Sequence, residues 1–181
     1  MTLAPDYIEP VVGWRVWAVS ESERRLRLRS LAFDVTWPLD RPFVADCRQR
    51  PHALRRLRHR RLHTHRPPHW SCDCGIYATR RMVDAVQYTE TYGSRHWTVR
   101  HRVLGRVSLW GSVLEYTDGW RAACAYPLEL LVPRVGPANS PGAEAVAEAL
   151  AEYGVRVEIV EGTGAAKFGR PLSPLPDWPP V

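Results

Sequence analysis

Over residues 11–37 apolar and polar side chains alternate with a period of two. Trp14, Val16 and Ala18 interleave with Arg15 and Trp17, and Leu26 and Leu28 with Arg25, Arg27 and Arg29; Leu31, Phe33, Val35 and Trp37 continue the rhythm. This predicts strands joined by a turn at the polar run Ser20-Glu21-Ser22-Glu23, with Pro38 and Pro42 ending the pattern because proline cannot donate to a ladder. A second, longer alternation follows. Val99, His101, Val103, Gly105, Val107 and Leu109 share one face, and Arg100, Arg102, Leu104, Arg106 and Ser108 the other. Gly105 and Gly111 mark bulges or bends, as in strands that curl around a barrel. An Asp118-Gly119 turn then returns the chain through Trp120, Ala122, Cys124 and Tyr126, and Pro127 is expected to close that strand. Trp110 and Trp120 are expected to face each other across the hairpin.

Helical spacing occurs twice. Met82, Ala85 and Val86 predict a helix over residues 79–88, and Val146, Ala147, Leu150 and Ala151 form a stripe opposite Glu144, Glu148 and Glu152. Ser140-Pro141 reads as the start of this second helix and Gly154 as its cap. Val155, Val157 and Ile159 then alternate as a last strand. The expected fold is α+β: a curled, mostly antiparallel sheet or small β-barrel with a metal-stapled loop and a C-terminal helix-strand unit. It forms one domain over residues 1–161, with a basic loop inserted at 48–69 and a Pro-rich tail at 162–181. A short helix is conceivable at 53–62, anchored only by Leu54, Leu57 and Leu62.

Composition changes this picture little, except in one place. With 181 residues, 45% hydrophobic and 24% charged, the chain is an ordinary globular protein, which excludes collagen, coiled coil and wholesale disorder. No apolar run could span a bilayer, and the opening MTLAPDYIEP has neither the basic flank nor the apolar stretch of a signal peptide, so a cytoplasmic protein is expected. The net charge is +6, yet the stretch between Cys47 and Cys72 holds eight Arg (Arg48, Arg50, Arg55, Arg56, Arg58, Arg60, Arg61, Arg66) and no acid, leaving about −2 for the rest. Lys167 is the only lysine, so a general preference for Arg explains the choice of Arg but not its clustering. Five of the seven His (His52, His59, His63, His65, His69) share the stretch. Arg forks suit phosphates, and Trp70, His59 and His63 offer stacking faces, a combination that fits RNA or single-stranded DNA. A solvated loop or a surface for an acidic protein partner are the other readings of such a charge run.

The cysteines bracket the same loop. Cys47, Cys72 and Cys74 with His65 offer three soft thiolates and an imidazole, the donor set of a structural zinc site. His69 and His52 are substitute fourth ligands. Cys-x-Cys is tighter than the usual two-residue knuckle, and Gly75 allows a sharp turn after it. Buried core thiols, or a redox dithiol at Cys72 and Cys74, remain alternatives; Cys124 reads as core. No acid pair, catalytic triad or phosphate loop stands out, so catalysis is the less favoured class, with His101, Glu115, Asp118 and Tyr126 the first residues to test for it.

The run Cys72-Asp73-Cys74-Gly75-Ile76-Tyr77-Ala78, followed by residues 103–113 (VLGRVSLWGSV) and by Gly119-Trp120-Arg121-Ala122 leading to Ala125-Tyr126-Pro127, resembles a group of small bacterial and phage proteins with no assigned activity. In that group a Cys and a His also precede the Cys-x-Cys run. The resemblance spans roughly residues 12–131 and implies that Cys47, His65, Cys72 and Cys74 form one set. The stretch between Cys47 and His65 is longer here than in the group. Small basic barrels of this kind also resemble the RNA-binding type associated with pseudouridine synthases, an analogy of fold alone. The expectation is a zinc-stabilised, non-catalytic nucleic-acid-binding module working through Arg55, Arg56, Arg58, Arg60, Arg61, Arg66 and Trp70 on RNA or DNA. An adapter docking an acidic protein is the alternative, and a thiol- or metal-dependent enzyme the third reading.

Overall fold

The computed structural model describes residues 10–33, 35–47, 65–91, 99–134 and 141–161. The period-two segments form a single curled sheet. β1 (Val11–Ser22) pairs antiparallel with β2 (Arg25–Arg29) and with β5 (His101–Tyr116); β5 pairs with β6 (Gly119–Pro133). β3 (Phe43–Val44) and β4 (Ile76–Thr79) lie on the other edge of β6, and β4 touches β1 at Trp14↔Thr79, so β1, β4, β6 and β5 close a ring. The last strand, β7 (Arg156–Val160), joins β6 in parallel. The α+β, curled-sheet expectation therefore holds.

Alternation decides which residues fill the ring. Trp17, Val19, Leu28, Trp37, Val103, Val107, Leu109, Leu130 and Val132 are buried in the main core, closed by Val146, Leu150 and Tyr153 of the helix-strand unit. Val16, Ala18, Leu104 and Leu131 point outward and are covered by Ala85 and Val86 of α1 (Met82–Thr91). Trp17 and Trp37 meet edge to face at 5.4 Å, and Phe43 stacks on Trp37 at 5.0 Å. Tyr153 ties this core to the sheet edge: its hydroxyl accepts from the Leu28 N–H at 3.1 Å and donates to the Trp37 carbonyl at 2.9 Å.

Several elements differ from the pattern. The first hairpin turns at Glu23-Arg24, both in the left-handed region (φ 51° and 62°), and Ser20, Glu21 and Ser22 remain in β1. Residues 31–37 do not extend the strand; only Thr36 bridges back to Arg29, because the chain bends so that Trp37 donates to the Leu28 carbonyl and drops into the core. Pro127 lies inside β6. A bulge leaves Leu128 as an extra residue between the pairs Arg106↔Glu129 and Val107↔Pro127, so the ladder absorbs the missing donor. A second bulge, between Trp110 and Val113, contains Gly111 at φ +75°. Trp110 faces Cys124 and Trp120 faces Glu115, so the two indoles are not partners. Residues 76–79 are strand, and the helix begins three residues later than expected, at Met82. The second helix, α2 (Ala143–Ala151), is capped by Gly142, Ala151 is exposed, and the proposed cap Ser140 lies outside the described residues. So do the tail at 162–181 and the conceivable helix at 53–62. Among the described residues no helix is long and apolar enough to cross a membrane.

Candidate metal centre

The site hangs from one edge of β6. On that edge β3 pairs at Cys124 and Ala125, Ala45 continues by donating to the Ala123 carbonyl at 2.8 Å, and β4 takes over at Ala122. β3 and β4 thus occupy one strand position, interrupted between Ala45 and Ile76. Residues 46–75 leave and rejoin the same ladder one rung apart. Cys47 follows the exit directly, and Cys72 and Cys74 precede the return.

At this neck the donor atoms of Cys47, His65, Cys72 and Cys74 all lie within 4.8 Å of one another, close enough to hold a metal ion. The sulfurs of Cys47 and Cys72 are 3.7 Å apart, against about 3.8 Å for the edge of a tetrahedron with metal–sulfur bonds of about 2.3 Å. His65 Nε2 lies 3.2 Å from Cys74 Sγ. All four cysteines are free thiols; Cys72 is buried and Cys47 and Cys74 half-buried. Cys72, at a bend, and Cys74 both turn their sulfurs into the cluster while Asp73 between them is exposed. Gly75 then turns the chain at φ +121°, where an added Cβ would lie 3.0 Å from the Pro68 ring and 3.4 Å from Arg121.

Burial, a hydrogen bond with Cys72 and the nearness of the Cys72 and Cys47 thiols push the Cys74 thiol up to about 11, opposed by a backbone hydrogen bond at His69. Without a cation this sulfur keeps its proton, and a bound divalent ion removes it.

An aromatic row leads outward from the cluster. His65 packs on His69 (4.6 Å between centroids) and His69 on Trp70 (5.7 Å). Ser71 fixes the His69 ring through its hydroxyl, 2.9 Å from Nδ1, and Cys72 N–H donates to the His69 carbonyl at 3.1 Å. The Trp70 indole is 80% exposed on this turn, and Arg66 is exposed too. His69 is therefore a neighbour of the cluster rather than a ligand. Arg55, Arg56, Arg58, Arg60, Arg61 and the substitute ligand His52 lie outside the described residues. Cys124 stands apart from the cluster, opposite Val44.

The sequence reading missed Arg121, Tyr77 and Tyr116. Arg121 is 5% exposed on β6, donates to the carbonyls of Cys72 and Cys74, and hydrogen-bonds the Tyr116 hydroxyl. Tyr77, opposite Arg121 in the ladder, donates to the Asp73 carbonyl at 2.8 Å. The one available signal was that Arg121 is the only basic residue in β6. The residues first suspected of catalysis do not converge. His101 is buried, Glu115 pairs with Arg80, and the Tyr126 hydroxyl reaches the Leu39 and Tyr153 carbonyls.

Fold and site together define a curled-sheet α+β domain with a Cys3His cluster at the neck of a long excursion. No protein-family model, curated protein or solved structure matches the chain.

Proposed function

We propose that this is a zinc-stabilised, non-catalytic nucleic-acid-binding module in which the metal fastens an Arg-rich loop to the sheet. The carrying observation is that Cys47 and His65, the residues at the two ends of the Arg-dense segment, belong to one cluster with Cys72 and Cys74. Whatever path residues 48–64 take, their ends meet at the metal, beside Trp70 and Arg66. Three thiolates and one imidazole suit zinc, and four protein ligands leave no open position for a substrate, which favours a structural over a hydrolytic ion. Arg supplies phosphate contacts and Trp70 a stacking face for an unpaired base.

The test has two stages. Elemental analysis should find one zinc per chain, lost in Cys72→Ser and His65→Ala. Fluorescence-anisotropy titrations with single-stranded RNA, single-stranded DNA and duplex DNA should then show binding that weakens steeply with salt, as release of counterions from phosphates requires. Binding that is insensitive to salt, or nucleic-acid binding too weak to saturate alongside stoichiometric capture of one acidic protein, would replace this reading with the adapter.

A further inference from the structure

Among the described residues, Arg121 is a buried cation without a carboxylate. None of the ion pairs among the described residues uses it. Its guanidinium lies 5.0 Å from the Tyr116 ring centroid and 5.5 Å from that of Tyr77. Its hydrogen bonds go to the hydroxyls of Tyr116 and Tyr77 and to the carbonyls of Cys72 and Cys74. Ring faces and carbonyl dipoles solvate a cation in part, but a guanidinium taken out of water ordinarily requires a full opposite charge nearby.

The cluster above it supplies that charge once loaded. A divalent ion (+2) with three thiolates (−3) and a neutral imidazole carries a net −1, spread over three sulfurs, two of which belong to Cys72 and Cys74, the residues whose carbonyls Arg121 holds. We infer that Arg121 is the counter-charge of an anionic Cys3His metal centre, a positioning residue that sets both the charge balance and the shape of the Cys72–Cys74 knuckle. The inference rests on the cluster being a metal centre and does not depend on what the Arg-rich loop binds. It gives β6 a second role, since the strand whose edge carries β3 and β4 also carries the cation that neutralises the ion between them.

The experiment compares metal affinity by competition with a chromophoric chelator, in the full chain. Arg121→Met keeps the aliphatic stem and removes the charge; Arg121→Lys keeps the charge and loses the fork. Arg121→Met should weaken zinc binding by about 10–100-fold, the usual effect of removing an outer partner of a metal site, and Arg121→Lys should stay close to wild type. A simple peg for the two carbonyls would suffer about equally from both. The decisive arm repeats Arg121→Met in a Cys47→His background, where two thiolates leave the loaded centre neutral. There the loss should shrink, a coupling read directly from the double-mutant cycle. Equal losses in both backgrounds, or undiminished affinity in Arg121→Met, would overturn the inference while leaving the metal centre standing. Wild-type protein that binds no metal would remove both. If Arg121→Met fails to fold or Cys47→His fails to bind, Arg121→Lys still decides, because a Lys variant with strongly weakened binding contradicts a charge role.

Discussion

The β5–β6 hairpin and the excursion at residues 46–75, which leaves from the free edge of β6, are held by opposite means. In the hairpin, Val103, Val107, Leu109, Leu130 and Val132 are nearly inaccessible to water, and the ladder runs from Leu104↔Leu131 to Tyr116↔Gly119 through two bulges. In the excursion the buried residues among those described are Pro68 and Cys72, while Trp70 is left in solvent. Removing apolar area from water stabilises the first by about 25 cal/mol per Å². The described part of the second has little such area, so its placement must come from a few directional contacts: the four donors, the carbonyls on Arg121, and the turn at Gly75. One region therefore resists loss of any single contact, and the other depends on each.

The largest effect should come from the proposed zinc centre, since binding of a structural zinc contributes on the order of 10 kcal/mol. A strong chelator at neutral pH should open the chain near Arg66 and Trp70 to limited proteolysis while far-UV circular dichroism of the sheet persists. Simultaneous unfolding of both regions would show that they are not independent and that the cluster holds the whole fold. Next, Trp17→Ala should cost about 3–5 kcal/mol in denaturant unfolding, because Trp17 is fully buried against Trp37, and should leave metal stoichiometry unchanged. Tyr153→Phe should cost about 1–3 kcal/mol by orphaning the Leu28 N–H and the Trp37 carbonyl.

Tyr153 also sets an alkaline limit. Burial chiefly pushes its phenol up to about 12, against about 10 in an unfolded chain. The stabilisation is complete below pH 10 and is lost as pH rises from 10 towards 12, because the unfolded chain releases this proton first. Unfolding followed across that range should show the slope in wild type, and a smaller one in Tyr153→Phe. The smallest effect belongs to the first hairpin, where Glu23 and Arg24 occupy left-handed conformations that glycine adopts without strain. Arg24→Gly should raise the denaturant midpoint, by at most about 1 kcal/mol, with no change in metal affinity.

The same contrast explains what could be read along the chain. β5 and β6 were legible because long alternation of apolar residues has one economical outcome, a half-buried strand. The four donors were legible because thiolates and imidazoles have few uses in combination. Neither rule reaches elements decided by partners distant in sequence. The alternation in residues 31–37 serves a bend that sends Trp37 into the core and leaves Phe33 in solvent. β3 is two residues long and exists only because β6 offers an edge. Pro127 reads as a terminator until the bulge at Leu128 supplies a rung that needs no donor. Arg121 has no local signature, since its role arises from carbonyls 47 and 49 positions away.

Because β3 and β4 are halves of one interrupted strand, whatever joins them is an insert with a common doorway. Closing a flexible loop becomes harder only logarithmically with its length, by roughly 0.6 kcal/mol per doubling. With Cys47 and His65 gathered at that doorway, the sheet is indifferent to how many residues pass between them or what they spell. The domain is built as a socket: the scaffold and the four donors can stay fixed while the segment between Cys47 and His65 is lengthened, recharged or exchanged.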